Sequence, residues 1–337
     1  MKKAKLLFVV VVFTLCACGV KENLETIAIS EFDNQSRDFT SMASKIDMIP
    51  IYVDSVGAVV SQPYRICAND TLLYVLDEMG TLAMFNLATG KQVKSIHSVG
   101  HAGSEYIRPV SLDLFENRIY LLDQPSKKVI EYDLSLNYVS HVTVDFVPLD
   151  FCRIENGFLF SRLDKKNGDD GFLYTDKEGI LQKTFVPTNM LGEHVATMRS
   201  FTGNDKHFRI MHENEASHVW MWEDGQEKLM TTLSFREPDS HSGNSDHVQI
   251  KDCYMTDHYI ICSFLYGKRQ NYAFCSKETG EVIAGFHDIN RGVPFSPMSQ
   301  DGNCILALYA VEDLQELPNW DSRKAKGADF VFFRYHL

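Results

Sequence analysis

One short phrase recurs six times along the chain: a turn rich in Asn, Asp or Gly, followed at once by an apolar, β-prone run. The six copies are Asn69-Asp70 before LLYVLD, Glu116-Asn117 before IYLLD, Asn156-Gly157 before FLFSR, Asn204-Asp205 before FRIMH, Thr256-Asp257 before YIICSF and Asp301-Gly302 before CILALY. A repeat constrains the architecture strongly, because each copy is one structural unit that buries its apolar surface against its neighbours. We therefore expect six copies of one β unit.

The residues around the phrase extend each unit to four strands. A short β-prone segment precedes each copy, and five of the six runs are followed by another β-prone run that ends in a second turn. These second turns fall at Gly90, Asn137, Gly179, Gly225 and Gly280, with spacings of 47, 42, 46 and 55 residues, and each leads into one more short strand. Gly and Asn suit such turns because they reach positive φ at low cost. Four strands in roughly 40–50 residues is the pattern of a β-propeller blade.

The sixth unit is one strand short, because the chain ends with its third strand, DFVFFRYHL. A spare strand, IDMIPIYV at residues 46–53, precedes the first unit. Pairing it with Phe330–Tyr335 would close the ring and remove two exposed sheet edges. The sequence thus predicts an all-β protein: a six-bladed β-propeller with four-stranded antiparallel blades, closed by an N-terminal strand on the C-terminal blade. We place this single domain at residues 45–337, after a polar tether at 18–44.

The N-terminus has the features of an export signal. Lys2, Lys3 and Lys5 precede an apolar run at residues 6–15, which is too short to span a bilayer. The following Leu-Cys-Ala-Cys resembles a bacterial lipobox, with Ala17 before Cys18. We expect a lipoprotein signal peptide at residues 1–17 and lipidation of Cys18, although an ordinary cleaved signal peptide is the alternative. Gly19 is not the aspartate that commonly retains lipoproteins in the inner membrane, so the outer membrane is favoured, with the domain facing the periplasm or exposed at the surface.

Six further cysteines lie within predicted strands, mostly at apolar positions: Cys67, Cys152, Cys253, Cys262, Cys275 and Cys304. Buried thiols, which pack as small hydrophobes, are the simpler interpretation. An even count in an exported protein also fits disulfides. In that case Cys262 could pair with Cys253 across one hairpin or with Cys275 across the next, and the sequence leaves this choice open.

Composition and motifs exclude several function classes. The net charge of −12 argues against a nucleic-acid partner, because nucleic-acid binding requires a basic surface. The chain has no cysteine and histidine spacing typical of zinc, no H-E-x-x-H and no G-x-S-x-G. We therefore assign no catalytic residue, no metal and no cofactor.

The first two units carry a family resemblance. The residues are Ile49-Pro50-Ile51, LYVLD with LAMFNLATGK, the loop Gly100–Tyr106, and IYLLDQPSKKVIEYDL. This region resembles the six-bladed β-propeller lipoproteins of Bacteroidota, which are relatives of NHL-repeat and TolB-like propellers. Family members commonly carry a G-x-G-P-G-E-Y loop. Here His101-Ala102 stands near its start and Ser104 replaces a glycine, whereas Glu105-Tyr106 is kept. The resemblance implies fold and location, and little about chemistry.

In a propeller, the connections between the second and third strands of each blade, and those between blades, emerge on one face around the central channel. Such loop-lined faces are the usual binding sites. Binding candidates on this face share a mixed polar and aromatic character that suits a sugar or a peptide: His101, Glu105, Tyr106, Arg108, Asp123, Arg162, His212, Tyr266, Tyr309 and Trp320. Asp77 and Glu312 lie in equivalent places. For each residue, a solvated or loop-stabilising side chain is the alternative.

An insertion at residues 311–328 distinguishes the sixth unit. We expect it to overhang the candidate face, either as a flap anchored by Trp320 or with Trp320 packed on the blade. Two polar groups elsewhere allow other chemistry. His212-Glu213 with Asp164 could form a metal or acid–base group. The acidic residues around Asn167-Gly168 suggest a calcium loop but lack the ligand spacing of an EF-hand, so a polar hairpin tip is expected.

Two functions of different classes follow. The favoured one is a lipid-anchored binding or scaffold module of the cell envelope, whose partner is a glycan, a peptide or a protein. An enzyme is the less favoured interpretation, because no catalytic motif is present. The alternative is a hydrolase or lyase that acts on a polysaccharide or lactone, with an acid–base pair or metal near the channel mouth. Paired carboxylates roughly 5–9 Å apart would favour that alternative.

Overall fold

In the computed structural model, the described residues are 26–32, 34–54, 58–162, 171–187, 201–202, 207–211, 216–223, 225–236, 248–290 and 293–337. Three strands precede the first complete blade: β1 (Thr26–Ile29), β2 (Ser36–Arg37) and β3 (Lys45–Ile51). A 3₁₀ helix, Phe39–Met42, lies between β2 and β3.

The next strands form three antiparallel four-stranded blades. Blade 1 contains β4 (Pro63–Ala68), β5 (Leu72–Asp77), β6 (Leu82–Asn86) and β7 (Gln92–Ile96). Blade 2 contains β8 (Pro109–Phe115), β9 (Arg118–Asp123), β10 (Lys128–Asp133) and β11 (Tyr138–Thr143). Blade 3 contains β12 (Pro148–Ile154), β13 (Gly157–Arg162), β14 (Gly171–Asp176) and β15 (Leu181–Pro187).

The remaining strands complete the ring. Blade 4 contains β16 (Phe201–Thr202), β17 (His207–Met211), β18 (Ala216–Glu223) and β19 (Gln226–Phe235). Blade 5 contains β20 (Val248–Met255), β21 (Tyr259–Tyr266), β22 (Arg269–Ser276) and β23 (Val282–His287). Blade 6 contains β24 (Ser299–Asp301), β25 (Cys304–Ala310) and β26 (Phe330–His336), with β3 as its fourth strand. A short helix α1 (Val311–Gln315) and a 3₁₀ helix, Ser322–Ala325, lie in the insertion between β25 and β26.

The predicted closure of the ring is confirmed. β3 pairs antiparallel with β26 in one continuous register, from Phe330 opposite Ile51 to His336 opposite Lys45. Blade 6 is thus assembled from two segments that lie far apart in the sequence, and the protein is a six-bladed β-propeller. In the part of the chain that the structure describes, no helix is long and apolar enough to cross a membrane.

Alternate residues of each strand face opposite neighbours, so both faces of a blade are buried. In β5, Leu73 and Val75 pack towards blade 6, whereas Tyr74 and Leu76 pack towards blade 2. Each of the six junctions between blades contains its own apolar cluster. This two-sided burial explains the nearly continuous apolar runs of the repeat, because a strand buried on both faces has no polar alternation.

The segment before β3 differs from the expected polar tether. β1 adds a parallel fifth strand to β19 in blade 4, and β2 does the same to β23 in blade 5. Phe32 packs edge-on against Phe264 at a centroid distance of 5.0 Å, and Phe39 stacks on Phe274 at 5.2 Å. Both phenylalanines are fully buried in the junctions beside blade 5. Residues 26–32 and 34–44 therefore form a strap on the outside of the ring, because these apolar side chains fill gaps between blades.

We expect Phe39→Ala to lower the free energy of unfolding by about 3–5 kcal/mol, the usual cost of truncating a buried phenylalanine. Urea denaturation measures this change. Val93→Ala is the matched control, because Val93 lies on the outer strand β7 and its side chain is 57% exposed; we expect a change within about 0.5 kcal/mol. If Phe39→Ala lowered the free energy of unfolding by no more than the control does, the strap would not contribute to stability.

Candidate functional site

The central channel is narrow. The first strand of every blade contributes to its wall, and the enclosed cavity is about 50 Å³. Its polar lining comes from Arg65, Ser111, Asp113, Asp150, Ser299 and Gln300. Pockets that bind small organic ligands are usually about 300–1,000 Å³. This cavity, as the described residues line it, therefore has room for water or a small ion, and not for a sugar ring.

The two channel carboxylates connect blades 2 and 3. Ser111 Oγ donates to Asp150 Oδ1 at 2.6 Å, and the Arg153 backbone N–H donates to Asp113 Oδ2 at 2.7 Å. Burial raises the pKa of Asp113 to about 6, and the charge of Asp150 adds to this effect. The backbone N–H donors of Arg153 and Leu114 act in the opposite direction. These acids thus hold neighbouring blades together.

The carboxylates at the ends of β5 and β9 stabilise loops. Asp123 is fully buried, and its two oxygens accept the backbone N–H groups of Ile107 and Arg108 at 3.1 and 2.9 Å. Asp77 accepts the N–H groups of Ser61 and Thr81 in the same way. The ligand-binding role predicted for Asp123 therefore does not fit, because the connection between blades already occupies its oxygens.

The Gly100–Tyr106 loop lies away from the channel. It folds between the outer parts of blades 1 and 2, where buried Lys128 donates its Nζ to the carbonyl oxygens of Ala102 and Glu105. Tyr106 is fully buried, and its hydroxyl donates to the Ile96 carbonyl and accepts the Ser98 N–H. Burial raises the pKa of Tyr106 to about 12. Tyr106 therefore anchors the loop and has no surface for a ligand.

The other candidates from the blade 1 and blade 2 loops remain near the surface. His101 is exposed, whereas the Glu105 carboxylate accepts the Ala102 N–H at 2.9 Å. The exposed Arg108 donates to Gln124 Oε1 at 2.6 Å. None of these three side chains is among the residues that line the channel cavity or the cleft beside the blade 6 insertion.

Candidates from the other blades are largely involved in packing. Tyr266 lies edge-on to Phe32 at 5.3 Å, and Tyr309 lies edge-on to Phe333 at 5.4 Å. Trp320 packs near Phe333 at 6.5 Å, as the packing alternative for this residue expects. The Nε and Nη2 atoms of Arg162 are buried and have no hydrogen-bond partner among the described residues. His212, Asp164, Glu213, the acidic turn around Asn167 and the lipidation candidate Cys18 lie outside the described residues.

A larger concave surface than the channel cavity lies beside the blade 6 insertion. This cleft, of about 1,060 Å³, is bounded by the connection from β3 to β4, by α1 and by the 3₁₀ helix Ser322–Ala325. Its floor includes Val60, Val311 and Phe330, which are buried. Charged residues of both signs surround this floor: Asp54, Glu312, Arg323, Lys326 and Asp329.

Short-range contacts fix the walls of the cleft. Asp329 Oδ2 accepts the Val53 N–H at 2.8 Å, which joins the insertion to the β3–β4 connection. Asp321 caps the 3₁₀ helix and makes a two-point ion pair with Arg323, at 2.8 and 2.9 Å. Glu312 and Lys326 are exposed on the rim. The sequence identified the insertion by its length, but the β3–β4 wall of the cleft carries no motif that would have revealed it.

Within the described ranges there is neither a metal-binding cluster nor a disulfide. No group of three or more His, Cys, Asp or Glu side chains there could hold a metal ion. Cys67, Cys152, Cys253, Cys262 and Cys275 are buried thiols, and Cys304 is a half-buried thiol. This arrangement agrees with the packing interpretation of the cysteines.

Comparison with known proteins gives a family and a fold. A family model described as "Domain of unknown function (DUF4934)" matches residues 24–329. Among curated proteins, none matches the chain. A Bacteroides fragilis protein described as exported has a similar structure, with a TM-score of 0.69 and 15% identity over 92% of this chain and 99% of that one. A DUF4221-family protein of Bacteroides vulgatus gives a TM-score of 0.49 and 11% identity over 87% and 96% of the two chains.

The raised pKa of Asp113 predicts a pH-dependent stability. Because the folded-state pKa of about 6 exceeds the ordinary 3.8, the stabilising contribution of the protonated carboxyl is complete below pH 3.8 and is lost as the pH rises through 6. We expect this loss to be about 3 kcal/mol over the whole range. Asp113→Asn should remove this component from urea denaturation curves recorded between pH 4.5 and 7.5. Asp70→Asn, at a fully exposed side chain, is the control; an unchanged pH slope in Asp113→Asn would contradict the assignment.

Proposed function

Because the chain belongs to the DUF4934 family, whose description assigns no activity, we propose a function from the site geometry: a binding module of the cell envelope that holds a glycan, a peptide or a protein segment in the blade 6 cleft. The observation that carries this proposal is the contrast between the cleft, about 1,060 Å³, and the channel, about 50 Å³. Of these two cavities, only the cleft is large enough for such a ligand.

The chemistry of the cleft fits a polar ligand with apolar faces. Buried Val311 and Phe330 provide an apolar floor, and the rim offers the carboxylate of Glu312 and the ammonium of Lys326. Charges of both signs on one rim can hydrogen-bond sugar hydroxyls or the backbone of an extended peptide. A ligand whose binding needs mainly positive or mainly negative side chains fits this rim less well.

The geometry gives the enzymatic alternative less support. Among the described residues, Asp113 and Asp150 are the acidic residues that line the channel, and both already accept hydrogen bonds that join blades 2 and 3. A glycosidase needs two carboxylates on either side of a bound sugar, and a cavity of about 50 Å³ does not admit one. The described part of the cleft contains no histidine among its lining residues.

A ligand that binds only the folded state raises its melting temperature, so a thermal-shift screen with glycans and peptides would identify candidates. For each hit, we expect Glu312→Ala and Lys326→Ala to weaken binding about tenfold or more in calorimetric titrations, which corresponds to one charged hydrogen bond. Glu178→Ala and Lys177→Ala are matched controls, because these residues lie on a turn of blade 3 on the opposite face. If the control substitutions weakened binding of the hits and the cleft substitutions did not, the assignment of the ligand to the cleft would be refuted.

The envelope location is supported by the export signal of the sequence and by the similar Bacteroides fragilis protein, which is described as exported. We propose that Cys18 carries the lipid anchor in the outer membrane. Multiple acyl chains hold a soluble domain stably at a membrane, whereas a single chain does not. Thr26, the first residue of β1, follows Cys18 by eight positions, and a segment of this length can span at most about 28 Å. An anchor at Cys18 would thus keep the propeller close to the bilayer.

We expect Cys18→Ala to move the protein from the membrane fraction to the soluble fraction of the envelope, because the thioether site for the lipid is lost. Cys16→Ala is the matched control and should leave the protein with the membranes. Cell fractionation with metabolic labelling by a fatty acid measures both properties. Membrane association and labelling that survive Cys18→Ala would contradict the anchor while leaving the cleft assignment open to its own test.

A further inference from the structure

Two cysteines face each other in the innermost hairpin of blade 5. In the antiparallel pair of β20 and β21, the residue opposite Cys253 is Cys262. Side chains directly opposite in such a pair lie on the same face of the sheet, with Cβ atoms about 4.5–5.5 Å apart. The sequence left Cys253 and Cys275 as alternative partners for Cys262, and the register distinguishes between them.

The pair occupies a position that suits a disulfide. The Thr256 N–H donates to the Tyr259 carbonyl, so the pair that closes the hairpin is hydrogen-bonded. Met255 is the residue before Thr256. Its backbone N–H points away from β21 and donates to Gln300 Oε1 in blade 6. Hydrogen-bonded and non-hydrogen-bonded pairs alternate along antiparallel strands. Cys253 and Cys262, two positions from Met255 and Ile260, therefore form a non-hydrogen-bonded pair.

At such pairs, the Cα atoms approach to about 4.5 Å and the side chains are closest. This separation lies within the range of about 4.4–6.8 Å that disulfides span. Asp252, the residue before Cys253, fits the same alternation of hydrogen-bonded and non-hydrogen-bonded pairs. Its backbone N–H points towards β21 and donates to Ser263 Oγ at 3.1 Å. A disulfide here would require little movement of the backbone.

The third nearby cysteine is less well placed. On β22, the residue opposite Cys262 is Ala273, whereas Cys275 is opposite Ile260. Cys275 is thus offset diagonally from Cys262, and diagonal neighbours are about 7–8 Å apart. Burial also raises the pKa of the Cys275 thiol to about 12, which makes it a poor nucleophile.

We propose that Cys253 and Cys262 are a redox pair that forms a disulfide under oxidising conditions, joining the two inner strands of blade 5. The two thiols lose two protons and two electrons, and a disulfide-bearing oxidant, such as an oxidoreductase or oxidised glutathione, is reduced to two thiols. Both side chains are buried between blades 4 and 5 in the folded ring. The bond therefore forms while this junction is still open, during folding.

The experiment is to refold the full chain in glutathione buffers, one oxidising and one reducing, and then to alkylate remaining thiols in denaturant. After refolding in the oxidising buffer, we expect the tryptic peptide of residues 252–268 to lack alkyl groups and to be two hydrogens lighter than its reduced form. Chymotrypsin, which cuts after Tyr254 and Tyr259, should leave its two cysteine fragments linked. An alkylated peptide, or a link from either cysteine to Cys275, would overturn the proposal.

Variants separate this bond from general effects of oxidation. The melting temperature of the oxidised wild type should exceed that of the reduced protein by about 5 °C, because a cross-link of this loop length restricts the unfolded chain. Cys253→Ser should abolish both the link and the shift, whereas Cys275→Ser should keep both. A shift that persists in Cys253→Ser would contradict the assignment. The peptide masses decide the question even if a serine variant folds poorly.

Discussion

The pairing of β3 with β26 is the interaction on which the rest of the structure depends. Every blade buries both faces against neighbours, so a ring with one junction open would expose two apolar sheet faces to water. Blade 6 has its fourth strand only because residues 45–51 align with residues 330–336. Side chains reinforce the junction of this blade with blade 1, where Arg334 Nη2 donates to the Asn69 carbonyl at 2.6 Å. The strap and the cleft both lie next to this closed blade.

The repeat allowed the blades to be predicted because strands buried on both faces leave a strong local signal. Each copy places a turn and an apolar run in direct succession, and the missing strand of blade 6 could be inferred by counting. The strap was not predicted, since its contacts are sparse along the chain. β2 contains only Ser36 and Arg37, and the two residues that fix the segment, Phe32 and Phe39, stand alone among polar neighbours. A single buried aromatic has no periodicity that a sequence can show.

The candidate site was predicted only in part, because a sequence shows where a strand ends and not which atoms its last residue meets. Asp123 ends β9 as expected, yet its oxygens bind backbone N–H groups of the preceding connection. Tyr106 lies in the expected loop, but that loop fills a groove between outer strands. The insertion was recognised by its length, and it does border the cleft. The opposite wall, around Val59 and Ser61, could not have been found, because it becomes a wall only when the ring closes.

The closure also sets an order of events in time. β3 is among the first strands to emerge during synthesis, whereas its partner β26 is the last. Contacts between segments so far apart in the sequence form slowly. Closing the long loop between them costs conformational entropy before the contacts can stabilise the fold. Until then, β3 and blade 1 expose apolar edges, which is the state in which β proteins aggregate. The chain therefore depends on remaining soluble and unpaired until β26 has been made, and a chain without residues 330–336 would leave β3 without its partner.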